Sequence, residues 1–169
     1  GVAMPLVKYG LPIHPVQLDN VRRFAGYLED YKCLVLSYEY MKPDAPDVNA
    51  AVVSWIREGG TLIYVGDGSD PFHKIDAWWG QRGYANPAEH LFELAGLGRD
   101  PKEGVHEVGA GKIVVWKELP ARICLSKELA DQYRSLVQKT LADTGITWTY
   151  RNDLTLHRGP YVISSVMAE

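Results

Sequence analysis

Apolar positions along this chain follow two rhythms, and the change between them is clearest in its first half. Val48, Val52, Trp55 and Ile56 recur at three- and four-residue spacing, which predicts a helix through Arg57 with Asp47 as its cap. Gly59 or Gly60 then ends the helix in left-handed backbone. The next residues, Thr61-Leu62-Ile63-Tyr64-Val65, carry no charge and are β-branched, aromatic or aliphatic, as expected of a parallel strand buried on both faces. Such a strand delivers its carboxyl end to the crevice where open α/β sheets bind ligands. The turn Gly66-Asp67-Gly68-Ser69-Asp70 is therefore the place with the best chemical prospects.

The pattern extends on both sides. Residues 4 to 9 read as the end of an element stopped by Gly10, so the chain is expected to continue upstream. Residues 13 to 18 alternate as a short edge strand interrupted by Pro15, and residues 20 to 31 form a connection with at least one helical turn. Cys33-Leu34-Val35-Leu36-Ser37 reads as a second buried strand. Beyond Asp70 a short helix is expected around residues 74 to 79, and Pro87 opens another through Ala95 that Gly96 or Gly98 ends. Residues 105 to 108 and 112 to 117 suit a hairpin about Gly109-Ala110-Gly111. Ser126 opens the longest amphipathic segment, with Leu129, Tyr133, Leu136, Val137 and Leu141 on one face and a stop near Gly145. Residues 146 to 150 and 153 to 167 read as strands, broken at Arg158-Gly159-Pro160.

Strand, connection, strand, helix, strand is the order of an α/β fold: a flavodoxin-like open parallel sheet with helices on both faces, plus C-terminal β-strands. Residues 1 to 145 are expected to form the α/β domain. Residues 146 to 169 are either its edge or the opening of a truncated β-domain. With 169 residues, 46% hydrophobic and 23% charged, the chain can bury one substantial core. No apolar run approaches the roughly 20 residues of a membrane-spanning helix. A net charge of −3 with both signs interspersed gives no argument for nucleic acid or an anionic membrane as partner. Cys33 and Cys124 are expected to be two reduced core thiols, with a disulfide as the alternative.

The run Gly10-Leu11-Pro12-Ile13, then residues 28 to 36, then Trp55-Ile56-Arg57-Glu58-Gly59-Gly60-Thr61-Leu62, resembles the class I glutamine amidotransferase-like fold. More narrowly, it is similar to the middle, trimerisation-type domain of bacterial β-galactosidases and related glycoside hydrolases. Gly109-Ala110-Gly111 with the following apolar run and long helix suits that family too. The resemblance covers most of residues 6 to 145. It implies a pseudo-enzyme domain in carbohydrate metabolism, serving oligomerisation (dimer or trimer) or contact with neighbouring domains, with catalysis in a separate barrel and no cofactor. Active amidotransferases of this fold carry a Gly-x-Cys-x-Gly elbow, and the corresponding turn here has no cysteine, which excludes thiolate chemistry from it.

Three other constellations compete with that reading. Ser69 is the remaining nucleophile candidate, with His73, His106 or His157 as base and Glu107 or Asp70 as orienter. A serine elbow would, however, require glycine where Asp67 and Pro71 stand. Asp67, Asp70 and Asp76 with Glu39 form an acidic set suited to acid/base work or a hard cation, against the plainer role of capping and solvated loop carboxylates. His14, His73, His90, His106 and His157 show no zinc-ligand spacing, so no metal site is expected from them. The aromatics Phe72, Trp78, Trp79 and Tyr84 are candidates for ordinary core, an interface, or stacking on carbohydrate, and Tyr38 and Tyr40 share that ambiguity.

Overall fold

The computed structural model describes residues 1–166. The elements run α1 (Met4–Val7), a 3-10 turn (Leu18–Arg22), β1 (Cys33–Leu36), α2 (Pro46–Arg57), β2 (Thr61–Val65) and a second 3-10 turn (Pro71–Lys74). They continue with α3 (Trp78–Gln81), α4 (Pro87–Leu94), β3 (Gly104–Val108), β4 (Gly111–Trp116), α5 (Pro120–Leu125), α6 (Lys127–Asp143), β5 (Asp153–Arg158) and β6 (Tyr161–Val166). By its contacts the chain forms two compact units, residues 17–119 and residues 1–16 together with the chain from Pro120 onward. The boundary expected near residue 145 falls inside the second of these.

The unit of residues 17–119 is a mixed α/β layer around a four-stranded sheet of order β1-β2-β4-β3. β1, β2 and β4 are parallel, with Leu34, Leu62 and Ile113 in register, and β3 returns antiparallel to β4. Central β2 is buried at all five positions, as its uncharged sequence requires. β1 is only half-buried, not fully buried as its composition suggests, because it is the edge of the sheet. α2 buries Val48, Val52 and Ile56 completely, each contributing about 1.5–3 kcal/mol of transfer free energy. Gly59 takes φ +118° just after the helix, in the left-handed region its cap needs. At Gly111 a Cβ would stand 2.1 Å from the Ile56 carbonyl oxygen and 2.2 Å from that of Gly60, so only glycine lets β4 start against the end of α2.

Several local expectations are corrected. Residues 13 to 18 form no strand but lead into the first 3-10 turn. Pro15 supplies no N–H to a ladder there. Ala45, not Asp47, is the N-cap of α2; Pro46 takes the first helical position and Asp47 pairs instead with Arg22 at 3.0 Å. The single helix expected over residues 74 to 79 is replaced by two short turns, because Asp70 caps the first at Phe72 and the chain is extended at Ile75.

In the other unit Ser126 caps α6 through the Leu129 amide, and Tyr133, Val137 and Leu141 lie buried along it. Residues 146 to 150, expected as a strand, make no ladder. They serve as an aromatic strap instead: Trp148 donates its indole N–H to the Tyr9 carbonyl at 3.1 Å, and Tyr150 packs on both Tyr9 and Trp148. The Arg134 guanidinium lies 3.8 Å from the Tyr9 ring centroid. The two strands expected on either side of Arg158-Gly159-Pro160 are present as β5 and β6, and they pair antiparallel about Gly159 and Pro160. The end of the second strand read from the sequence, Met167, lies outside the described residues. Both cysteines are free thiols, and Cys124 is exposed where a core thiol was expected.

Candidate functional site

At the carboxyl ends of β1 and β2 the two loops are joined by buried charge. Glu39 follows β1 and accepts two amides of the turn after β2, Gly68 N–H on Oε1 at 2.8 Å and Asp70 N–H on Oε2 at 3.1 Å. Asp70 reciprocates. Its Oδ1 accepts the Phe72 amide at 3.0 Å, and its Oδ2 accepts the Tyr40 amide at 2.6 Å and the Lys42 ammonium. Tyr40 holds φ +69°, a left-handed conformation unfavourable for a tyrosine, and the Asp70 carboxylate fixes it there.

His73 completes the cluster. Its side chain is 5% exposed and those of Glu39 and Asp70 are fully buried. Its Nε2 faces Glu39 Oε2 at 3.4 Å, beyond good hydrogen-bond distance, and neither ring nitrogen makes a hydrogen bond. One ligand atom each from Glu39, Asp70 and His73 lie within 4.8 Å of one another. Burial, reinforced by Lys42, lowers the His73 pKa against the opposing pull of Glu39 and Asp70. Burial also pushes the Asp70 carboxyl up, but its bonds from Lys42, Phe72 and Tyr40 prevail and bring it to about 2.

A second buried polar chain begins at Tyr38, the residue before Glu39. The Tyr38 hydroxyl donates to Asn49 Oδ1, and Asn49 Nδ2 donates to the Pro87 carbonyl at 2.9 Å. The other Nδ2 hydrogen faces His90 Nδ1 at 3.1 Å, which requires a neutral His90 that accepts at Nδ1. Burial and then Arg82 lower the His90 pKa accordingly.

The residues singled out in the sequence separate here. Of the acidic set only Glu39 and Asp70 converge. Asp67 is exposed and accepts the Ser69 amide at 3.0 Å, and Asp76 accepts from Gln81 at 3.1 Å. Ser69 is exposed outside the cluster, His106 bonds the Lys102 carbonyl and Glu107 is exposed on β3. The carboxylate that His73 faces is Glu39 rather than Glu107. Among the aromatics Trp79 is core, 3% exposed, with its indole N–H on the His73 carbonyl at 2.8 Å. Trp78 is half-buried, packing edge-on against Trp79 and His90 with its N–H on the Pro43 carbonyl. Tyr84 bonds Glu93 and lies under Arg99, whereas Phe72 is exposed. Tyr38 is core and Tyr40 is exposed. Lys42 was not singled out by the sequence. Its only signal is a lysine three residues beyond a strand-end glutamate.

Compared with known proteins, the chain matches no family model, no curated protein and no solved structure.

Proposed function

We propose that this chain is a non-catalytic, flavodoxin-like α/β domain of the amidotransferase-like kind, an accessory part of a larger glycoside hydrolase that serves subunit or domain assembly. The observation that carries the assembly role is the β5–β6 hairpin. Cross-strand pairing puts Leu154, Leu156, Ile163 and Tyr161 on one face, and Leu156, Tyr161 and Ile163 are more than half exposed. An isolated two-stranded ribbon is marginal in water, so an apolar face of this kind is expected to gain its stability from a partner.

The turn after β2 supports the non-catalytic half of the reading. Its Gly68 and Asp70 amides, the donors an oxyanion would need, are already bonded to Glu39. The test is the solution mass of the chain across a concentration series, by light scattering coupled to size exclusion. A dimer or trimer that dissociates on dilution supports assembly through this chain; a strict monomer at all concentrations removes self-assembly from the reading.

A further inference from the structure

We propose that Glu39, Asp70 and His73 form a binding site for one divalent transition ion of the zinc type, which ties the loop after β1 to the loop after β2. The inference is independent of the assembly role proposed above.

Two observations carry it. The first is the donor set: an imidazole nitrogen and two carboxylates within 4.8 Å of one another, drawn from separate loops by the parallel pairing of β1 with β2. The second is the unsatisfied histidine. His73 is buried and aimed at Glu39, yet neither of its ring nitrogens makes a hydrogen bond, a state that costs free energy in a protein interior. Its 3.4 Å separation from Glu39 Oε2 is long for a hydrogen bond, but ligands on a tetrahedral zinc ion stand about 3.4 Å apart given bond lengths of roughly 2.0–2.2 Å.

The chemistry of the set selects the ion. Imidazole favours zinc-like ions over magnesium or calcium, which prefer all-oxygen cages. Three protein ligands leave a fourth position for water. Charge balance is also favourable, since two carboxylates and one divalent ion sum to zero. Lys42 is the internal competitor, because its ammonium sits on Asp70, and its side chain is the most exposed member of the cluster at 9%. An ion ligated by Asp70 Oδ2 therefore has to displace the Lys42 ammonium from that oxygen. The separate origin of the ligands explains why no zinc spacing is visible along the chain.

Zinc chloride titrated into the intact chain, followed by calorimetry and by metal content after dialysis, tests the site. One equivalent is expected to bind, with a raised unfolding temperature that magnesium does not reproduce. Lys42→Met is expected to bind more tightly, and His73→Gln at least about 100-fold more weakly. Equal affinity in His73→Gln and the parent chain would overturn the assignment, as would absence of binding by both the parent and Lys42→Met. Should His73→Gln not fold, nitrogen-15 spectra of the parent decide. A zinc-induced shift of the His73 ring nitrogens supports the site, and shifts confined to other histidines refute it.

Discussion

Glu39 Oε1 accepts the Gly68 amide at 2.8 Å, so a side chain from the end of one strand closes the turn at the end of the next. Its other oxygen accepts the Asp70 amide at 3.1 Å. In Glu39→Gln one of these acceptors becomes an NH2 group, which in either orientation faces a backbone N–H, that of Gly68 or that of Asp70. The variant is expected to lose about 1–3 kcal/mol of stability. Urea denaturation checks this; an unchanged midpoint would show that the two loops are held together by other contacts.

The Asn49–His90 contact sets a pH dependence. His90 has a lowered pKa because of burial and Arg82, against a weaker opposing effect of Glu93, and its Nδ1 faces an amide donor. The unfolded chain therefore takes up the proton first, below about pH 6.5. Stability is fully present above that pH and is lost as pH falls through the folded-state value. His73, also lowered chiefly by burial, adds to the same limb. Denaturant midpoints from pH 8 to pH 5 should fall, and His90→Gln should flatten the curve; a midpoint that rises toward pH 5 would contradict the tautomer assigned here.

The hairpin gives a sharper test of assembly than mass alone. Ile163 pairs with Leu156 on the apolar face and is 56% exposed. Ile163→Lys is expected to change folding stability by less than about 0.5 kcal/mol. The same variant should shift the mass-versus-concentration curve toward monomer. Unaltered association would place the contact elsewhere.

The two thiols should differ in reactivity. Burial pushes the Cys33 thiol up to about 11, despite an opposing pull from Lys112, whereas Cys124 is exposed. Iodoacetamide at pH 8 should label Cys124 readily and Cys33 only on unfolding, as mass spectrometry of the modified peptides would reveal.

Trp79 and Ser69 stand at opposite extremes of burial within one loop region. Trp79→Ala removes a buried ring and an indole bond to His73, and is expected to cost about 3–5 kcal/mol. Ser69→Ala, at an exposed position, should alter stability by less than about 0.5 kcal/mol. Thermal melts of the two variants compare them directly, and a large loss in Ser69→Ala would mean that its hydroxyl holds the turn.

Periodic segments were legible and their neighbours were not. Val48, Val52, Trp55 and Ile56 announce α2, and the uncharged run from Thr61 announces β2, because burial of one stripe or of two faces leaves a local imprint. Residues 13 to 18 and 146 to 150 carry the same apolar rhythm without forming strands. Trp148 and Tyr150 are apolar because they pack on Tyr9, a contact 139 residues away for Trp148, and periodicity cannot distinguish that from a sheet. For the candidate cluster the sequence suggested that Glu39 and Asp70 share one rim but assigned Asp67 and Asp76 to it as well.

What the sequence by itself determined is the α/β class, the central strand, the Ser126 cap of α6 and the absence of a cysteine from the turn after β2, all properties of short stretches of chain. Tertiary structure alone decided which carboxylates meet. Parallel pairing of Cys33 with Thr61 brings the two strand ends together, and the left-handed turn at Tyr40 delivers an amide, and Lys42 beyond it, to Asp70. The same closure puts Nε2 of His73 3.4 Å from Glu39 across 34 residues, a proximity that no local pattern in the sequence records.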